Sequence, residues 1–265
     1  MSEKAPLVSV VVTTFNRCEM LAQTINSILE QTFSDFELIV VDNMSEDGTC
    51  EYINGIKDGR IRFFRNHNHG VIAKNRNYGI RKAGGIYIAF CDDDDLWVKN
   101  KLDVQVAMMK NNQDYVMCYS QAESFLDHKT IKKTMIRRTV KKSHFISLLQ
   151  GNFIPNSSVL IKRDIFQQLG YLNESSELRE DYEMWLRVTR NFLIVGTKQV
   201  LIKYRIHGSN SAGSRVAETG RAIRTLRSLI HPLRIPVYLY LPNLLIQYLK
   251  LLFYKIMAVH RSVWG

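Results

Sequence analysis

Four consecutive carboxylates, Asp92-Asp93-Asp94-Asp95, are the densest cluster of chemistry-bearing groups in this 265-residue sequence. Carboxylates at i and i+2 beyond a strand can both turn toward one cation. Hard cations such as Mg2+ and Mn2+ take oxygen ligands and keep phosphates and waters in their shell. A cation bridging a diphosphate neutralises the charge that develops as a nucleoside diphosphate leaves. The plainer reading of the run is an acidic turn or N-cap ahead of a helix opening at Leu96-Trp97. Asp42 closes another apolar run, where a carboxylate can accept from a base imide or a ribose hydroxyl, or cap the next helix. Arg76, within Asn75-Arg76-Asn77-Tyr78-Gly79, can pair bidentately with a diphosphate or sit on a solvated helix face. Glu180-Asp181 opens a predicted helix. An acid there serves equally as general base for an acceptor hydroxyl or as a partner of the helix dipole. His207, in Tyr204-Arg205-Ile206-His207-Gly208-Ser209-Asn210, is open to metal ligation, phosphate donation or an ordinary surface role.

These groups need a scaffold, and the pattern around them supplies one. Leu7–Thr13 and Phe36–Val41 are short, β-branched, apolar runs suited to strands buried on both faces. Ile61–Phe64 and Ile86–Cys91 are two further strands. Helical spacing of apolar residues covers Met20–Leu29, a segment ending near Ile56, and Val71–Lys82, which Gly84-Gly85 stops. Residues 7–95 thus alternate strand and helix, which predicts an α/β unit with a mostly parallel sheet. Ligands of such sheets bind beyond the carboxyl ends of the strands. Thr14-Phe15-Asn16-Arg17, Asp42 and Asp92–Asp95 all fall at such ends, and that coincidence lifts the acidic run above an isolated turn. Downstream, helices are expected over Trp97–Met109 and Leu178–Val188. Strands are expected over Tyr115–Tyr119, Ser157–Ile161, Phe192–Val195 and Val200–Tyr204. There is no internal repeat or low-complexity tract.

Composition fits a globular chain with a full core: 46% of residues are hydrophobic and 23% charged, which argues against disorder. The net charge of +11 points to an anionic partner. Cys18, Cys50, Cys91 and Cys118 form no C-x-x-C pair or ligand-spaced cluster, so free thiols in a reducing compartment are expected rather than zinc or disulfides. The polar N-terminus has no signal-peptide pattern.

Taken together, the motifs resemble glycosyltransferase family 2, inverting enzymes of the GT-A fold, over about residues 6–210. The opening V-S-V-V-V-T-T-F-N-R is similar to the family's first strand and P-T-Y/F-N-R. Val41–Thr49 matches V-D-x-x-S-x-D-G-T, and Gly70–Ile80 looks like G-x-x-x-A-R-N-x-G-I. Ala83–Cys91 leads into the place of the D-x-D metal motif, and Glu180-Asp181 into that of the catalytic E-D motif. The resemblance implies a GT-A domain, Rossmann-like and mostly parallel, over 1–214, with a helical extension over 215–265. It places Thr14, Phe15, Arg17, Asp42 and Arg76 around the nucleotide, with Asp42 on the base and Asp93 between metal ligands at the same edge. Asp92 and Asp94 would hold Mn2+ or Mg2+, with His207 as a further ligand. Asp95 is left to cap the next helix. Asp181 would be the base. The implied reaction moves one sugar from a nucleotide-diphosphate sugar, UDP-linked by expectation, to a hydroxyl of a saccharide or lipid-linked acceptor, in bacterial surface polysaccharide synthesis. Thr13 and Asn75 depart from the family's proline and alanine, and the Q-x-x-R-W signature of processive synthases is absent. A sugar nucleotidyltransferase would carry a glycine-rich basic loop after the first strand, which is missing. A non-catalytic membrane partner would not need the intact acids.

From Thr219 to Gly265 there are seven Lys/Arg and no Asp or Glu, around an apolar stretch at Val237–Val259. Charges and Pro242 within it speak against a membrane span. Interfacial binding fits better, with packing on protein or a homodimer contact as the other options. The expected location is cytoplasmic, peripheral on the inner face of the cell membrane. This tail accounts for part of the charge without nucleic acid. The basic run Lys129–Lys142 is expected as a solvated loop.

Overall fold

The computed structural model describes residues 5–126, 129–134, 143–206 and 212–264, without the side chains of 129–134, 212–214 and 258–264. Strands β1 (Val8–Thr14) and β2 (Phe36–Asp42) are buried along their whole length, as parallel strands covered on both faces should be. They pair in parallel with Thr14 opposite Asp42. On the other side of β1 lies β4 (Tyr87–Asp92), with Asp92 beside Thr13. Outside β2 runs β3 (Ile61–Arg65). The polar ends of three strands therefore share one edge.

Side chains alternate between two apolar layers, as strand geometry requires. Val10, Val12, Leu38 and Val40 meet Leu21, Ile25 and Ile28 of α1 (Cys18–Leu29). Val11, Ile39 and Phe90 face the layer that contains Tyr182 and Trp185 of α7 (Glu180–Asn191). Helix α2 (Thr49–Gly55) follows β2, and α3 (Ile72–Lys82) leads to β4. Gly79 lets α3 lie directly on β1, since a Cβ there would stand 2.5 Å from Val11 Cγ1. That close approach sets the height of Arg76 above the strand ends.

The second half extends the sheet in mixed direction to the order β3-β2-β1-β4-β8-β6-β9-β5, with β7 paired to β6. Here β8 (Leu160–Lys162) is antiparallel to β4 and β6 (Tyr115–Leu126), and β9 (Leu193–Arg205) is parallel to β6. The two strands expected over 192–204 are thus one long, irregular strand. Leu96-Trp97 does not open a helix: it forms β5 against β9, and α4 (Lys101–Asn111) starts four residues later. The solvated loop expected at Lys129–Lys142 begins as strand β7 (Lys129–Thr134) on β6; residues 135–142 lie outside those described. The shorter helices α5 (His144–Leu149) and α6 (Ile165–Gln168) flank β8. The chain ends in α8 (Ala212–Leu229) and α9 (Val237–Trp264), which pack on each other. Among the described residues no helix is long and apolar enough to cross a membrane. Cys91 and Cys118 are buried, while Cys18 and Cys50 are only partly so, and all four are free.

Lys101 opens α4 fully buried, its Nζ 3.9 Å from the centre of the Trp97 ring and donating to Gln105 Oε1 at 2.6 Å. Burial pulls its pKa from 10.5 down to about 7. Between these values the unfolded chain keeps a proton that the folded chain has released, so stability climbs with pH across this window. From pH 7 to 9 the wild type should gain on the order of 2 kcal/mol more than Lys101→Met. Urea melts at both pH values check this; equal slopes would refute it.

Candidate active site

The strand ends concentrate carboxylates, and each is held by a specific donor. Asp92 Oδ1 accepts from Arg76 Nη2 at 2.6 Å and from Asn156 Nδ2 at 2.9 Å. The same guanidinium grips Glu180 through Nη1. Arg76 is only 5% exposed. Flanking acids outweigh the cost of burial and raise its pKa, so it stays cationic and ties the end of β4 to the start of α7. Burial raises the pKa of Glu180, with Arg76 opposing.

Asp93 accepts from Thr14 Oγ1 at 2.8 Å and from Arg17 Nη1 at 3.0 Å; the same nitrogen reaches Asp94 Oδ2 at 2.9 Å. Burial, reinforced by Asp94 and Asp92 against the pull of Arg17, pushes Asp93 up to about 6. Asp93 is therefore more than a spacer, because it joins the end of β1 to the acidic run. Asp95 does not cap a helix. It is 1% exposed, and its carboxylate accepts from Ser157 Oγ at 2.6 Å and from the Arg205 backbone N–H at 3.0 Å. Burial and the neighbouring acids raise it well above the usual carboxylate range. Asp95 locks β9 and residue 157 to the end of β4.

Asp42 is fully buried. Both its oxygens accept from the Ser45 N–H, at 3.1 and 3.0 Å, and Oδ2 also accepts from Arg65 Nε at 3.2 Å. Phe15 is 52% exposed at the same edge, beside Asn16 at φ 50°. The Asn16 side chain accepts from the Glu46 N–H at 2.9 Å, pinning the loop after β1 to the loop after β2.

A cavity of about 460 Å³ opens beside this edge. Asp92 and Arg76 line it on the sheet side, Asn152–Asn156 on a second side, and Arg179, Glu180, Asp181, Glu218 and Arg221 on a third. Asp181 Oδ2 accepts from Asn152 Nδ2 at 2.9 Å. The site thus has a strand-end half and a cavity half, joined at the Arg76–Asp92 pair. Arg76, expected at a diphosphate, spends its donors on two acids of the protein.

Asp92 and Asp94, with side chains 30% and 15% exposed, offer hard oxygen donors two residues apart. Such a pair suits Mg2+ or Mn2+ when substrate phosphates complete the shell. Arg17 would have to yield Asp94. Among the described residues no group of three His, Cys, Asp or Glu is arranged to hold a metal ion, and His207 lies outside them. The reading from sequence overlooked Asn152, Asn156, Ser157 and Arg205. The polar stretch Asn152-Phe153-Ile154-Pro155-Asn156-Ser157-Ser158 before a strand was the available signal.

Known proteins share this architecture. The mannosyltransferase PcManGT from Pyrobaculum calidifontis, in complex with GDP-Man and Mn2+, superposes with a TM-score of 0.69 at 16% identity, over 99% of this chain and 77% of that one. The Escherichia coli UDP-Glc:alpha-D-GlcNAc-diphosphoundecaprenol beta-1,3-glucosyltransferase WfgD is 28% identical over 218 residues, which are 81% of this chain and 83% of that protein. An uncharacterized glycosyltransferase of Rickettsia bellii (strain RML369-C) is 31% identical over 205 residues, 77% of this chain; the match spans only 29% of that longer protein. The model of glycosyl transferase family 2 matches residues 9–170. That match runs through more than half of the chain, and the protein is a glycosyltransferase of family 2 with the GT-A fold.

Proposed function

We propose that the protein transfers one sugar, with inversion, from a nucleotide-diphosphate sugar to a hydroxyl of a lipid-linked saccharide. The observation that carries this reading is the placement of Asp181. It lines the same cavity as Asp92 and Arg76, which Thr14, Asp42, Asp93 and Asp94 do not line. A base so placed meets an acceptor hydroxyl on one side while the donor is held on the other. UDP is the favoured nucleotide and a lipid-diphosphate saccharide the favoured acceptor, because WfgD is named for both.

In this reading Thr14, Phe15, Arg17, Asp42 and Asp93 form the nucleoside side. Phe15 offers an exposed ring, Arg17 a cation, and Asp42 fixes Ser45 and Arg65. Asp92 and Asp94 would hold a divalent ion, Mn2+ or Mg2+, which when bound neutralises charge on the leaving diphosphate. Asn152 turns Asp181 toward the cavity. Asp181 takes the proton of the acceptor hydroxyl, whose oxygen attacks the anomeric carbon opposite the diphosphate. Arg76 keeps Asp92 and Glu180 at a fixed separation, so donor and base hold their spacing. That fixed geometry is the chain's main contribution to rate.

Helix α9 supports work at a membrane surface. One face is seated on the catalytic body, where Gln247 Nε2 and Lys250 Nζ donate to Gln150 O at 2.8 and 3.1 Å. The other exposes Leu245, Leu249, Leu252, Phe253 and Ile256, which share one helical face. With basic residues and no acid from 219 onward, this face suits anionic lipid.

Asp181→Asn should lower transfer about 10²–10⁴-fold, the usual loss of a general base, with UDP-sugar binding retained. Asp94→Ala should abolish metal-dependent stimulation of transfer. Full activity in both variants sinks the site assignment. Donor identity is read by thermal shift with UDP-Glc, UDP-GlcNAc and GDP-Man plus Mn2+, since a ligand that binds the folded state raises the melting temperature. No shift with any nucleotide sugar overturns the reading. Leu249→Glu/Phe253→Glu should release the protein from vesicles containing phosphatidylglycerol in a sedimentation assay; unchanged co-sedimentation removes the membrane assignment.

A further inference from the structure

Two guanidinium groups of the cavity are not consumed by the network around Asp92. Arg179 is the N-cap residue of α7, immediately ahead of Glu180-Asp181. Arg221 projects from α8 onto the same wall. Among the described residues neither guanidinium has a hydrogen bond or an ion pair. Every other arginine at the site is spent: Arg17 on Asp93 and Asp94, Arg65 on Asp42, Arg76 on Asp92 and Glu180, and Arg205 on the Asp94 carbonyl and Gln23.

The helices that carry the two are tied together. The Arg179 N–H donates to Thr225 Oγ1 at 3.0 Å, and Arg224 Nε donates to Glu177 O at 3.2 Å, so the start of α7 is fixed against α8. Asp181, Glu218 and Glu180 keep the Arg179 pKa high despite its burial, so its charge is secure while its donors are open. Glu218 lines the wall one turn before Arg221. Of the acids on that wall, Glu180 is paired with Arg76, which leaves Arg179 and Arg221 beside Asp181 and Glu218.

Position says which anion belongs there. The strand-end residues Thr14, Asp42, Asp93 and Asp94 do not line this cavity, whereas Asp181, Arg179 and Arg221 do. In the reaction proposed above, the nucleotide phosphates sit with the ion at Asp94 and Asp92, of which only Asp92 also lines this cavity. An anion on the wall of Asp181 therefore arrives with the molecule whose hydroxyl Asp181 deprotonates. Guanidinium forks match phosphate oxygens bidentately, and two forks match a diphosphate. Helix α8 is followed in the chain by α9, whose outer face is apolar and exposed.

We infer that Arg179 and Arg221 form a subsite for the diphosphate of a lipid-linked acceptor. This rests on the transfer reaction proposed above and assigns residues to the diphosphate of its acceptor. The subsite favours an acceptor that carries an anion over a neutral saccharide.

The test uses the full chain and separates binding from turnover. Binding of a sugar-free short-chain alkyl diphosphate and of UDP is measured by calorimetry for the wild type, Arg179→Gln, Arg221→Gln and Arg221→Lys. Each Gln variant should bind the alkyl diphosphate about tenfold or more weakly, the loss of one charge-assisted contact. Arg221→Lys should fall between, since it keeps the charge and loses the fork. UDP binding should be unchanged, which also reports an intact fold. Equal binding of the alkyl diphosphate by all four proteins overturns the subsite. A parallel loss of UDP binding overturns it too, by assigning the two guanidiniums to the donor. If the arginines bind the alkyl diphosphate but the wild type transfers no sugar to a GlcNAc-diphospho-lipid, the subsite stands and the proposed reaction falls.

Discussion

Six carboxylates gather around the end of β4: Asp92, Asp93, Asp94, Asp95, Glu180 and Asp181. Like charges so close, in a partly dry site, cannot all stay ionised without compensation. The rest of the site follows from how that repulsion is met. Arg76 bridges Asp92 and Glu180, Arg17 bridges Asp93 and Asp94, and Asp95 turns inward to Ser157 and the Arg205 backbone. The first two arrangements balance charge; the third buries an acid whose pKa burial and neighbouring acids raise well above the usual carboxylate range. Each arrangement also joins elements far apart in sequence. Asp95 joins β4 to β9, Arg76 joins α3 to α7, and Arg17 joins the β1 loop to the acidic run. The charge problem and the folding problem share one solution.

This explains why Arg76 sits on a helix pressed so closely to β1. A guanidinium shared between two acids works only if its height is fixed, and Gly79 fixes it by letting α3 approach Val11. A looser helix would let Asp92 and Glu180 drift, and with them the spacing between the strand edge and Asp181. The same short network makes the site stiff where the nucleotide is proposed to bind. Among the described residues lining the cavity, the guanidiniums without a hydrogen bond or ion pair are those of Arg179 and Arg221.

The first half of the fold was legible because its signals are local. Parallel strands covered on both faces read as continuous apolar runs, so β1, β2 and β4 were visible to within a residue or two, and their polar ends pointed to the site. The second half was harder for physical reasons. The strand β9 is partly exposed and irregular, so its pattern broke into two pieces. Leu96-Trp97 follow an acidic run and precede a true helix, and helix was the natural reading; only pairing with Ile202 and Lys203 makes them a strand. Asp95 looked like a cap because capping depends on near neighbours, whereas its partners Ser157 and Arg205 are 62 and 110 residues away. Asn152 and Asn156 carry no periodicity at all, and they declare a role only once the loop is folded against Asp181 and Asp92.

The family match ends at residue 170, and the division has chemical content. Up to that point the chain builds the strand-end edge, the half proposed to hold a nucleotide. Nucleotide and diphosphate are common to many transfer reactions, so one solution for holding them serves many enzymes. Beyond it come Arg179, Asp181, Glu218 and Arg221, which line the cavity together with Arg76, Asp92 and Asn152–Asn156 from the matched part. An acceptor differs from enzyme to enzyme in charge, size and solubility, and the elements that meet it must differ too. In the reading proposed above those elements are α7, α8 and α9: α7 brings Arg179 and the acid proposed to take a proton, α8 brings Arg221, and α9 a long apolar face. Helix by helix, they would match the parts of a lipid-linked saccharide: hydroxyl, diphosphate, lipid.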